Sequence, residues 1–290
     1  MNAFINGVLI GLIKLISLLP LWVLYRISDL LYPIIYYVVK YRKKVVFENL
    51  RMAFPEKSEE EITRIAKKFY RHFCDLFIET FKMFTISRAN IERRIKFTDT
   101  TNILEEYKNN KHILTVMAHY NNWEWGAGLS MQTPYHYEAI YKPLENEYFD
   151  KMMLKTRSRF GAELVPMRNT ARHLAKNISD GKLTLLNFIA DQSPVQTEVV
   201  YCTTFFNLKT PVQLGAEKLA AKTKQPVYFF KYRKIKRGYY EVEPVKLCDD
   251  ASLLKQYELT DLHTKVLEDL IREAPQYWLW SHRRWKYMPK

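Results

Sequence analysis

The chain predicts an α/β fold: a mostly parallel, twisted sheet flanked by helices, preceded by an N-terminal helical membrane anchor. Short apolar, partly β-branched runs at 113–118, 183–190 and 226–231 have the composition of buried strands. Stretches with helical periodicity and capping signals alternate with them. Residues 3–39 are dominated by aliphatic and aromatic side chains. The 290 residues are 48% hydrophobic and 14% aromatic, which supports a sizeable core and argues against disorder.

Forty-five basic residues against 31 acidic give a formal charge of +14. Such an excess predicts an anionic partner: nucleic acid, an anionic membrane surface or an acidic protein. Cys74, Cys202 and Cys248 are widely spaced and make no metal-ligand pattern. A reducing, cytoplasmic setting suits them better than a disulfide scaffold.

Residues 3–25 are almost wholly apolar, interrupted by Lys14 and Pro20. The length would cross a bilayer, which needs about 20 residues. Lys14 makes a clean crossing expensive, so a helix lying in the interface stands beside the spanning reading. A signal peptide is disfavoured because there is no early basic region and no small-residue cleavage site. Residues 30–39 form a second apolar segment, whose Tyr32, Tyr36 and Tyr37 suit the headgroup region. The basic run 41–44 closes it and suits cytoplasmic anionic headgroups or an ordinary solvated helix end. These features divide the chain into an anchoring segment, 1–44, and a main body, 45–290.

Ser58 followed by Glu61 is a capping box. It predicts a helix over 59–84, with Ile62, Ile65, Phe69, Phe73, Phe77 and Phe81 at helical spacing as core. A connector at 91–96 and a short helix at 103–108 lead to the strand 113–118. That strand stops at His119, and Asn121 or Asn122 caps a helix beginning near Trp123 and Glu124. On one continuous helix the His119–Glu124 spacing would set the side chains about 140° apart. With a turn between them they can face each other. A carboxylate on one imidazole nitrogen fixes the tautomer and leaves the other nitrogen free as a base.

A second strand is expected at 137–141, ended by Pro143, then a helix at 148–160 carrying Lys151, Lys155, Arg157 and Arg159. A short strand at 164–166, a helix at 170–179 capped by Gly181, and the buried strand 183–190 follow. Asp191 and Gln192 sit at the end of that strand, where α/β sheets commonly place site residues. Residues 201–206 are apolar and aromatic, and 211–222 reads as a helix. Strands at 226–231 and 239–245 flank a basic turn, and a helix is expected at 260–273. In the final stretch Trp278, Trp280 and Trp285 interleave with Arg283, Arg284 and Lys286. This reads either as a packed aromatic tail or as a membrane- or anion-facing edge.

Taken together these stretches resemble the lipid A late acyltransferases, the bacterial lauroyl/myristoyl transferases of the lysophospholipid acyltransferase superfamily. The resemblance covers nearly the whole chain: NLRMAFPE at 49–56, the His-x4-Glu box, Tyr141-Lys142-Pro143 with Asn146, and Arg157 and Arg159 before Gly161. It continues through ADQ at 190–192, the Phe-rich block at 203–227 and APQYWLWSHRRWK at 274–286. Lys142 stands where the family usually has Arg, a point charge in place of a bidentate fork.

The resemblance implies transfer of an acyl group from acyl carrier protein, or sometimes acyl-CoA, to a hydroxyl of a lipid A precursor. The setting it implies is the cytoplasmic face of the inner membrane. By motif matching His119 is the general base, Glu124 its orienting partner, and Arg157 and Asp191 further catalytic residues. Asn122, Tyr141, Lys142, Asn146, Arg159 and Gln192 are expected to bind substrate. The chemistry calls for no metal and no cofactor: the alcohol attacks the thioester directly, without an acyl-enzyme, and the oxyanion takes donors from the turn after His119 or from an arginine.

Two rival readings stand beside it. A glycerolipid or amino-acid lipid acyltransferase of the same superfamily is one, although glycerol-phosphate enzymes usually carry Asp in the box and a Phe-Pro-Glu-Gly-Thr-Arg motif, and this chain has Glu124 and lacks that motif. A non-enzymatic basic protein on membrane or nucleic acid is the other, but no nucleic-acid module is visible.

Overall fold

The computed structural model describes residues 3–288; Met1 and Asn2 of the 1–44 segment and Pro289 and Lys290 of 45–290 lie outside it. The apolar N-terminus is two helices, α1 (Ala3–Leu18) and α2 (Leu21–Pro33), followed by a π-helical turn at Ile34–Val39. Pro20 separates them with extended backbone (φ −59°, ψ 149°), because proline has no N–H to continue the first helix. The 16 residues of α1 span about 24 Å, short of a hydrocarbon core of about 30 Å. Among the described residues no helix is long and apolar enough to cross a membrane, which corrects the spanning reading of 3–25.

Two further helices follow, α3 (Lys43–Ala53) and α4 (Glu59–Lys82). The expected capping box starts α4: Ser58 Oγ accepts from the Glu61 amide, and Glu61 Oε2 accepts from the Ser58 amide. The N-terminal helices are fastened to α4 by buried polar groups. Tyr25 donates to Glu79 at 2.7 Å and Ser28 to Asp75 at 2.8 Å. Lys82 Nζ caps the free carbonyls of Ser17 and Leu19 at the end of α1.

The remaining elements are α5 (Arg88–Arg94), β1 (Ile95–Phe97), α6 (Thr101–Lys108), β2 (Ile113–Met117), β3 (His136–Tyr141), α7 (Glu147–Arg157), β4 (Glu163–Pro166), α8 (Thr170–Ser179), β5 (Thr184–Ile189), β6 (Cys202–Phe205), β7 (Leu208–Pro211), α9 (Gly215–Thr223), β8 (Val227–Lys236), β9 (Tyr239–Cys248) and α10 (Glu258–Glu273). Seven strands form one sheet in the order β1-β9-β8-β2-β5-β3-β4. Every neighbouring pair is parallel except the β8–β9 hairpin. The expected mostly parallel α/β sheet is therefore present, and its central strand β2 is buried at all five positions. Parallel pairing aligns the C-terminal ends of β2, β5, β3 and β4 along one edge.

In the C-terminal third one expected helix starts late and one open alternative is decided. Residues 201–211 form a small antiparallel hairpin, β6–β7, and the helix α9 begins only at Gly215 rather than at 211. Of the two readings of the final tryptophans, the packed aromatic tail is the one present. Trp278, Trp280 and Trp285 are buried, and Trp278 and Trp285 pack on Phe205 of the hairpin. Arg284 is buried as well and donates to the Pro211 carbonyl at 2.7 Å. The aromatic rings gain more by packing on one another than by facing outward, and the arginine finds its acceptor inside.

Candidate active site

β2 and β5 pair with a constant offset, Val116 against Phe188 and Met117 against Ile189. Two residues beyond each strand end the same offset sets His119 beside Asp191. His119 Nδ1 and Asp191 Oδ1 are 2.7 Å apart. The other carboxylate oxygen, Oδ2, accepts from the Trp278 indole at 2.8 Å. Burial alone would push the Asp191 carboxyl up, but the His119 ring and the indole hold it below the ordinary carboxylate value. A buried, ionised carboxylate on Nδ1 selects the tautomer with Nε2 as the basic nitrogen. Nε2 lies 3.4 Å from the Gln192 side-chain amide, too long for a strong hydrogen bond. The Trp123 ring stands edge-on to the imidazole, with centroids 4.9 Å apart.

The carboxylate expected on His119 is engaged elsewhere. Glu124 makes a bidentate pair with Arg157, Nε to Oε2 at 2.8 Å and Nη2 to Oε1 at 2.7 Å. This corrects the expected His119–Glu124 contact: Asp191 orients the imidazole, and Glu124 fixes a guanidinium. The reason is the chain path. Glu124 opens the 3-10 stretch Glu124–Gln132 and faces the end of α7, whereas Asp191 is the strand neighbour of His119. Burial raises the Glu124 carboxyl, and the Arg157 charge and hydrogen bonds bring it below its usual value. The planar fork of arginine suits such a pair better than lysine would.

These groups open into one cavity of about 560 Å³. His119, Glu124, Arg157, Gln192, Tyr141 and Lys142 line it, so six of the ten expected site residues meet at one place. Its walls are otherwise largely aliphatic and small: Ala139, Ile140, Ala162, Leu164, Ile189 and Ala216. At Gly126 a Cβ would run into the Tyr232 hydroxyl, so the missing side chain lets the backbone approach that wall. The arrangement is an oriented imidazole and a fixed guanidinium at the polar part of an apolar slot.

A family model described as "Bacterial lipid A biosynthesis acyltransferase" matches residues 2–287. The chain belongs to this family. It is 25% identical over 288 residues to a lipid A biosynthesis lauroyltransferase of Escherichia coli (strain K12), covering 97% of this chain and 91% of that one. It is 20% identical over 265 residues to a lipid A biosynthesis palmitoleoyltransferase of the same strain, covering 87% of this chain and 81% of the relative. A lipid A biosynthesis acyltransferase of Shigella flexneri matches at the same identity and coverage. The protein is thus an acyltransferase of lipid A biosynthesis, and the non-enzymatic reading falls away.

Within this lipid A acyltransferase, four expected residues do not line the cavity. Asp191 stands behind His119, 2.7 Å from its Nδ1. Asn122 is fully buried: Oδ1 accepts from the Trp125 amide and Nδ2 donates to Glu79 Oε2. Asn146 caps α7 by accepting from the Tyr148 and Phe149 amides, and its amide also reaches Asn6 on α1. Arg159 donates to the carbonyls of Met83 and Ile86 and ties α7 to the chain after α4. All three side chains are engaged in hydrogen bonds within the protein and none lines the cavity.

Three groups at the site were not among the expected site residues. Trp278 holds Asp191 from a segment 87 residues away. Asn187, on β5, lines the cavity and donates to the Glu138 carbonyl. Glu79, fully buried on α4 one turn beyond Asp75 and Leu76, gathers Tyr25, Asn122 and Tyr240 and so supports the turn after His119. A carboxylate within that run of phenylalanines was the available clue.

Proposed function

We propose that this acyltransferase moves a fatty acyl group from acyl carrier protein to a hydroxyl of a lipid A precursor, with His119 as general base. The observation that carries the reading is the Asp191–His119 pair at the polar part of an apolar cavity. Asp191 keeps Nδ1 protonated, so Nε2 takes the proton of the acceptor hydroxyl as its oxygen attacks the thioester carbonyl. Arg157, held by Glu124, offers its remaining N–H groups to the oxyanion or to an acceptor phosphate. Lys142 and Gln192 orient the acceptor. The aliphatic walls take the acyl chain. The carrier thiol leaves with the proton from His119, and no acyl-enzyme forms.

Membrane attachment is part of the same proposal, with 1–44 seating the body 45–290 on the inner membrane from its cytoplasmic side. The N-terminal helices are inverted for a water-soluble protein. Val8, Leu12, Leu15, Leu18 and Trp22 are exposed at helical spacing, while Asn6 and Ser17 face the protein. An exposed apolar stripe of this kind suits a helix lying in the bilayer interface. The charge of +14 suits both an acidic carrier protein and an anionic glycolipid. The two E. coli relatives differ in the acyl group their names carry, so acyl length is left to measurement.

The test is transfer of radiolabelled acyl from carrier protein to a tetra-acylated lipid A precursor, run beside lysophosphatidic acid. We expect transfer to the lipid A precursor and a loss of about 10²-fold or more in turnover for His119→Ala and for Glu124→Ala. Strong activity on lysophosphatidic acid with none on the lipid A precursor would overturn the substrate assignment.

A further inference from the structure

At the opposite edge of the sheet from His119, four side chains of metal-ligating type converge. His136 and Glu138 lie two apart on β3, so both point to the same face. Glu163 is the direct register partner of Glu138 on the edge strand β4. His173 reaches the pair from α8. One ligand atom each from His136, Glu138 and Glu163 lie within 4.8 Å of one another. His173 Nε2 touches both carboxylates, at 3.0 Å from Glu138 and 3.5 Å from Glu163. His136 Nε2 does the same, at 3.6 and 2.7 Å.

We propose that His136, Glu138, Glu163 and His173 bind one divalent cation of the zinc type, clamping the edge strand and α8 to the sheet. Two features of the cluster ask for a cation. Two carboxylates face each other directly across neighbouring strands, a pairing that repels without a positive charge between them. Glu138 is fully buried, yet its Oε2 has no hydrogen-bond partner, while Oε1 is shared by His173 and Asn177. A buried carboxylate oxygen left bare is costly unless something coordinates it.

The ligand spacing fits. Bonds of about 2.0–2.1 Å in a tetrahedral zinc site put neighbouring ligand atoms about 3.3 Å apart. The four imidazole–carboxylate separations, 2.7 to 3.6 Å, bracket that value, with Oε1 of Glu138 and both oxygens of Glu163 facing the imidazoles and Oε2 of Glu138 left for the cation by rotation of the carboxylate. Two imidazoles and two carboxylates are also the donor set zinc accepts, and a soft copper(I) site would need sulfur. Access exists, since His136 also lines an open polar pocket of about 720 Å³ beside His112 and Lys182. Tyr137 and Ala139, which line the cavity, alternate along β3 with His136 and Glu138, so the cluster and the cavity lie on opposite faces of the sheet. The cation is therefore structural and takes no part in acyl transfer.

Full-length, tag-free protein in detergent, stripped with EDTA and desalted, would be titrated with Zn²⁺ by calorimetry and with Co²⁺ by visible absorption. The expected result is one saturable Zn²⁺ per chain and the ligand-field bands of four-coordinate Co²⁺. His136→Asn and Glu163→Gln should each weaken binding at least tenfold while acyl transfer stays at the wild-type rate. If a variant does not fold, protection of the wild-type histidines decides: Zn²⁺ should shield His136 and His173 from diethyl pyrocarbonate while leaving His119 reactive, read by peptide mass spectrometry. No saturable binding, unaltered affinity in folded variants, or equal modification with and without Zn²⁺ would leave the cluster as an ion-pair network and overturn the proposal.

Discussion

The two carboxylates near His119 divide the labour by position in the fold. Asp191 meets the imidazole because paired strands end in step, and Glu124 meets Arg157 because its turn faces the end of α7. Glu124 is the better buried of that second pair, with its side chain 9% exposed against 28% for Arg157. Removing one partner strands a poorly solvated charge on the other, while removing both does not. Each of Glu124→Ala and Arg157→Ala should therefore lower stability by about 2–4 kcal/mol, and the double variant should cost less than the sum by about 1–3 kcal/mol. Urea denaturation of the four proteins measures this, and strictly additive losses would argue against the pair. The sequence shows both carboxylates and the histidine but not this division, because the 72-residue offset between β2 and β5 that makes Asp191 the neighbour is a tertiary fact.

At the scale of elements, local signals were legible and exceptions have nameable causes. The capping box at Ser58, the helix Thr170–Ser179 and the strand ending at His119 all follow from residues within a few positions. The β6–β7 hairpin does not. Its turn residues Phe206 and Asn207 both have positive φ (53° and 59°), a geometry that normally advertises itself with Asn-Gly. A phenylalanine stands there because its ring is buried under the Arg272 guanidinium and beside Trp280 and Trp285, a contact invisible in local sequence. The same region holds a pH dependence. Burial pushes His263 on α10 down to about 4, and His282 after it likewise. The folded pKa is depressed below the unfolded value of about 6.5, so the unfolded chain binds the extra proton between those limits. Stability should be complete above about pH 6.5 and fall as pH drops towards 4, by up to about 1.4 kcal/mol per pH unit for the fully buried His263. Denaturation midpoints at pH 7, 5.5 and 4.5 test this, and His263→Gln should flatten the slope; an unchanged slope would exclude His263 as its source.

For the whole molecule, the outward apolar stripe of α1 and α2 and the net positive charge point the same way. Fully burying one such aliphatic or aromatic side chain contributes about 1.5–3 kcal/mol, or roughly tenfold in affinity. Replacing Leu15 and Trp22 by Ser should therefore weaken binding to vesicles of anionic phospholipid by about 10²-fold in a flotation assay. The circular dichroism should not change, since both side chains face away from the protein. Retained vesicle binding would remove these helices from the membrane contact. The composition and apolar run made this surface visible in the sequence. The break at Pro20 decides that the segment is two short helices, and the buried contacts of Tyr25 and Ser28 with α4 make it part of the folded body.

The most direct test of the account compares single-turnover acyl transfer in the wild type, His119→Ala, Asp191→Asn and the double variant. If the carboxylate acts only by orienting the imidazole, each single change lowers the rate by about 10²-fold or more, and the double variant is no slower than His119→Ala. A near-wild-type rate in Asp191→Asn, or losses that multiply in the double variant, would contradict it.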